Sequence, residues 1–140
     1  MKAKEYLREY EHQTYKIKLL EKELEEVNDS IDNLSQYSDG FPKKKEPSDK
    51  VSRLAAKLAD LTAEIAEKRT EALLKKNEIR KTILKLKDTR YIQILTERYM
   101  LLNRWEQIAV NLNYSWRYTL KLHDRALEEV QKIIDKEKRT

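Results

Sequence analysis

Two cations four residues apart, Arg117 and Lys121, carry the most pointed chemistry in this chain. On a helix that spacing puts both side chains on one face. A guanidinium can pair bidentately with the major-groove edge of guanine, and an ammonium can meet guanine or phosphate. Trp116 precedes them and can touch a thymine methyl or brace the backbone. Trp116, Arg117 and Lys121 are therefore the expected base contacts. Arg104, Ser115, Tyr118, His123 and Arg125 are the expected phosphate contacts, of the kind that fix a protein's register on a duplex.

Other chemistries find little support. His12 and His123 are the only histidines and there is no cysteine, so no metal-ligand cluster and no thiol chemistry is expected. His123 reads as a packing residue or a phosphate contact. One glycine rules out a Gly-rich phosphate loop, and the carboxylates alternate with Lys and Arg along helix faces. No enzyme, cofactor, metal or small-molecule substrate is expected.

The elements that must hold Arg117 and Lys121 can be read outward from them. Ser115 offers a side-chain oxygen to the first free amides of a helix starting at Trp116 and running to about Glu137. Tyr118 stands where a full capping box needs Glu or Gln. Thr119, Leu122, Ala126, Val130 and Ile133 form that helix's inner face, opposite Arg117, Lys121, Asp124 and Glu128. Before it, Asn113 suits the left-handed turn that ends a helix. That preceding helix, about 104–112, turns Trp105, Ile108, Ala109 and Leu112 inward. A helix from Thr89 to near Asn103 shows Ile92, Leu95 and Tyr99 on one face. The layout is a helix-turn-helix, with 116–128 as the helix for the major groove. Trp116, Leu120, Leu127 and Ile134 make a second apolar stripe, expected to pack on a coiled coil or another protein.

Upstream, Gly40, Pro42 and Pro47 hold all the glycine and proline, marking a linker at 38–48. Ser48 can cap the helix that follows, and Lys43-Lys44-Lys45 reads as solvated linker. Before the linker, Tyr6, Tyr10, Gln13, Ile17, Leu20, Leu24, Val27, Ile31 and Leu34 follow steps of four and three. After it, Val51, Leu58, Ile65, Ala72, Ile79 and Leu86 recur every seven residues. Leu54 and Leu61 complete that seam early, and Lys68 and Lys75 interrupt it later. Such heptads specify coiled-coil association, within one chain or between two. The size match of Tyr10 and Gln13 against Ala72 favours a hairpin. The expected fold is all-α: residues 1–88 a long antiparallel helical hairpin, 89–140 a small helix-turn-helix domain.

Lys and Arg total 30 against 25 Asp and Glu, and the excess lies beyond residue 37. That balance is compatible with a polyanion partner without requiring one. No apolar run reaches the roughly 20 residues that span a bilayer. No membrane partner and a cytoplasmic location in a bacterial host cell are expected.

Around these residues the sequence resembles region 4 of bacterial sigma factors. The likeness lies in a W-E-x-I-A-x-x-L-x-Y-S lead-in from Trp105 to Ser115 and an L-H-x-R-A-L tail from Leu122 to Leu127. The whole chain looks like a phage-encoded family of sigma-region-4-like proteins that begins with an A-K-E-Y-L element, here Ala3–Leu7. The resemblance implies a regulator of phage or prophage transcription, with double-stranded DNA as partner and bacterial RNA polymerase as a second. By position Trp116, Arg117 and Lys121 match the base-facing residues of region 4. Asn113 replaces the usual turn glycine, Trp116 replaces a polar residue, and no polymerase-binding region 2 is visible. Two functions are thus expected to compete. One is a sequence-specific DNA-binding regulator, with a homodimer through the coiled coil presenting two reading ends. The other is a coiled-coil interaction module, an assembly adaptor or polymerase-binding factor that reads no bases.

Overall fold

A computed structural model of the chain describes residues 1–36 and 49–139. The expected linker, its lysine run and the Ser48 cap lie outside the described residues. Among the described residues all regular structure is helical: α1 (Ala3–Leu7), α2 (Glu9–Gln36), α3 (Asp49–Leu84), α4 (Thr89–Leu95), a π-helical turn (Thr96–Met100), α5 (Trp105–Leu112) and α6 (Trp116–Lys138). No described helix is long and apolar enough to cross a membrane.

The chain divides into two compact units: residues 14–71, and residues 1–13 together with 72–140. In the 14–71 unit, seam residues Ile17, Val27, Leu61 and Ile65 are buried, and Leu20, Leu24, Ile31, Leu34, Val51, Leu54 and Leu58 are half-buried. Steps of four and three keep these positions on one stripe, and burial follows the stripe. Ion pairs flank it: Lys57 meets Glu23 at 3.1 Å and Arg69 meets Glu21 at 2.6 Å. Tyr15 and Leu19 point to solvent.

The other unit holds one apolar cluster. Leu7, Ile79, Ile94, Leu95, Ile108, Leu122, Ala126 and Val130 are all inaccessible in it. Ala3, Ile83 and Leu86 join the same cluster, so this unit takes residues from both sides of the 88/89 boundary expected from sequence. Arg8 separates α1 from α2 but keeps a right-handed helical backbone, its amide donating to Lys4 O and its carbonyl accepting from the His12 amide; α1 docks on α6. There the Ala3 amide donates to Gln131 Oε1 at 2.7 Å, and Gln131 Nε2 donates to the Met1 carbonyl at 3.2 Å. Within this unit Tyr6 reaches Thr82 Oγ1 at 2.9 Å, and Lys75, an interruption of the seam, pairs with Glu9 at 2.9 Å. A lysine there is accommodated because its stem stays on the stripe while its ammonium finds a carboxylate.

Most of the second apolar stripe is covered. Ile134 is in the core, Leu127 packs against it and Leu120 is half-buried, so only Trp116 remains exposed. The reason is helix α1, whose docking widens the buried face of α6.

Candidate nucleic-acid interface

The turn between α5 and α6 is built by two residues. Asn113 adopts φ 58°, ψ 46°, the left-handed conformation that Asn tolerates better than most residues. Its amide donates to Val110 O at 3.2 Å, and the Tyr114 amide donates to Ala109 O at 3.0 Å. This pair of bonds satisfies the last carbonyls of α5 in a Schellman arrangement. Ser115 then caps α6: its Oγ accepts from the Tyr118 amide at 3.1 Å, and its carbonyl accepts from Thr119 Oγ1 at 2.8 Å. Tyr114 and Tyr118 pack edge to face at 4.9 Å over the turn. The chain therefore leaves α5 and enters α6 along a fixed path.

That path orients α6 with Thr119, Leu122 and Ala126 fully buried. Arg117 and Lys121 are consequently exposed, as are Arg125 on the next turn and Arg104 at the start of α5. None of these four cations has an ion-pair or hydrogen-bond partner among the described residues. Trp116 is 49% exposed, a large apolar surface at the mouth of the same helix.

Three other expected contacts are placed differently. His123, expected at phosphate, is buried at 5% exposure. Its Nε2 shares a hydrogen bond with the Tyr99 hydroxyl at 2.7 Å, and the Trp105 ring meets it edge-on at 4.5 Å. Burial lowers its pKa to about 4, so the ring is neutral at pH 7 and has no charge to offer a phosphate. Burial likewise pushes the Tyr99 hydroxyl up to about 12. Of the two readings of His123, the phosphate contact is corrected: the residue packs inside the unit, with its Nε2 satisfied by Tyr99. Ser115 is exposed, but its Oγ is engaged in the cap. Tyr118 is half-buried, with its hydroxyl accepting from Arg90 Nη1 at 2.8 Å.

Arg90 is the cation that sequence reasoning missed. Asp88 caps α4 through the Arg90 amide at 2.9 Å and also grips the Arg90 guanidinium at 2.8 Å. The Asp88 carboxylate and the Tyr118 hydroxyl hold the guanidinium firmly in its charged form. Arg90 is thereby fixed beside the N-terminal turn of α6. Only the long-range bond to Tyr118 reveals this, and no local pattern signals it.

The segment before α5 is also specified by polar contacts. The π-helical turn closes with the Leu101 amide donating to Thr96 O at 2.9 Å. Leu102 follows with φ 57°, a conformation that costs a non-glycine residue about 1 kcal/mol. Glu97 supports it: its carbonyl accepts from the Asn103 amide at 3.0 Å, and its Oε2 accepts from the side-chain amides of Asn103 and, at 3.1 Å, Asn111. Arg98 donates to Asn103 O at 3.2 Å while lying 5.2 Å over the Trp105 ring. These contacts tie the start of α5 to the turn before it. No family model, curated protein or solved structure matches this chain.

Proposed function

We propose that this chain is a sequence-specific DNA-binding transcription regulator of phage or prophage genes, with the 116–128 segment of α6 as the helix that enters the major groove. The observation that carries this reading is the set of unpartnered cations on α6. Arg117, Lys121 and Arg125 are exposed and unpaired among the described residues, on a helix whose opposite face is anchored in the core. A recognition helix needs both properties, because base contacts discriminate only when the helix cannot roll. Arg117 and Lys121 read bases, with Trp116 against a thymine methyl; Arg104, Arg125 and Arg90 hold phosphates. The turn with Asn113 and the Ser115 cap supports the helix-turn-helix arrangement, as does the resemblance of Trp105–Ser115 to sigma region 4.

The seam burial in residues 14–71 and the cross-helix ion pairs support a coiled-coil hairpin of α2 and α3. A homodimer through that surface would present two reading ends. A second reading, a protein-interaction module that contacts RNA polymerase or an assembly partner without reading bases, draws on the exposed apolar side chains of Trp116 and Val110.

Selection of bound duplexes from a random pool with the full chain separates the two. Enrichment of one motif is expected. A pool that stays random at physiological salt, where nonspecific binding is weak, would overturn the DNA reading and favour the second.

A further inference from the structure

The C-terminal half of α6 lines a second basic feature, about 16 Å along the helix from Lys121 at about 1.5 Å per residue. A cavity of about 420 Å³ opens there between residues 85–91 and 129–136. Its walls carry Lys85, Lys87, Lys132 and Lys136, and its apolar lining is Leu86, Tyr91 and Ile133. The lysines are unequally satisfied. Lys132 pairs with Glu129 at 3.0 Å, and Lys85 pairs with Glu137. Lys87 and Lys136 have no ion-pair partner among the described residues. Asp88, the other carboxylate on the wall, is engaged by Arg90 at 2.8 Å.

We infer that this groove docks an acidic segment of another protein through an apolar anchor residue. Its charge and its lining ask for different things, and a peptide supplies both. The spare lysines attract carboxylates, while Tyr91 and Ile133 offer an apolar surface that a Leu or Phe side chain covers. A duplex backbone fits less well. Its phosphates could meet the lysines, but it has no apolar group to place against Leu86, Tyr91 and Ile133. The groove therefore adds a protein partner to a DNA-binding end on the same helix.

The test uses the full chain and a short fluorescein-labelled polyglutamate peptide with a central Leu-Phe pair, read by fluorescence anisotropy at low salt. Saturable binding is expected. It should weaken about tenfold in Lys132→Glu/Lys136→Glu, and about tenfold when the peptide's Leu-Phe becomes Ser-Ser. Lys87→Glu, which breaks no ion pair in the chain, should weaken it in the same direction while leaving the circular dichroism unchanged. No saturable binding, or equal affinity for both peptides, or indifference to all these lysine changes, overturns the inference. So does loss of duplex affinity in Lys132→Glu/Lys136→Glu without any peptide binding, which assigns the groove to DNA. Peptide binding that fails while motif selection succeeds removes this inference alone.

Discussion

Residues 14–71 and the core-bearing unit bury their apolar residues to different depths. In the first, the most buried side chains, Ile17, Val27, Leu61 and Ile65, keep 5–8% of their surface. In the second, Leu7, Ile79, Ile94, Leu95, Ile108, Leu122, Ala126 and Val130 keep none. A single buried stripe leaves each of its residues an open side. Helices packed from several directions leave none. Both units pair some of their cations with carboxylates. Cations beside the seam face carboxylates across it, at Lys57–Glu23 and Arg69–Glu21. Arg117, Lys121 and Arg125 face nothing in the described chain. The core-bearing unit pairs other cations, at Lys75–Glu9, Lys85–Glu137 and Lys132–Glu129, but leaves Arg117, Lys121 and Arg125 unpaired among the described residues, on a helix whose opposite face is buried.

The largest effect expected from this contrast is on stability. Leu122→Ala should cost about 2–5 kcal/mol in urea unfolding followed by tryptophan fluorescence, because a fully enclosed site cannot collapse around the cavity. Ile65→Ala, on the open seam, should cost clearly less; equal costs would remove the distinction between the two units. The next effect is a pH dependence seated in the core. His123 titrates near 4 when folded and near 6.5 when unfolded. The unfolded chain therefore takes up the proton first as pH falls. Stability from the neutral buried ring is complete above about pH 6.5 and is lost progressively down to about pH 4, on the order of 3 kcal/mol at most. Denaturation midpoints across that range should fall with pH, and His123→Phe should flatten the slope. An unchanged slope in that variant would place the titration elsewhere.

The seam and the α5–α6 turn were both legible in the sequence, for the same reason: their signals are local. Steps of three and four marked the buried stripe on α2, and Asn113 and Ser115 marked the turn and the cap. What was not legible depends on contacts distant in sequence. The docking of α1 brings Ala3 to Gln131, 128 residues apart, and puts Ala3 and Leu7 in one cluster with Ile134. His123 was left between packing and phosphate contact, because its partners Tyr99 and Trp105 come from other segments. Leu102 is a different case: its left-handed backbone is supported locally, by Glu97 bonding Asn103, but leucine itself does not advertise that conformation. Arg90 joined the candidate interface only through Tyr118.

Smaller effects sharpen the comparison at its surface. Ser115→Ala should lower stability by about 1 kcal/mol, since it orphans an amide at the start of α6; calorimetry showing no loss would mean that the cap does not fix the helix. Arg69→Ala should cost under about 1 kcal/mol and become smaller still in high salt, as exposed pairs do.

On the proposed reading, α6 is held by its buried face and reads DNA with its exposed one. The most direct measurement is the affinity ratio between a selected duplex and a scrambled duplex of equal length, at one fixed salt concentration, for the intact chain and for Arg117→Ala/Lys121→Ala. The double variant should keep the thermal stability of the parent and lose about 1–3 kcal/mol of discrimination for each base-reading side chain removed. A ratio that survives the double substitution would contradict the claim.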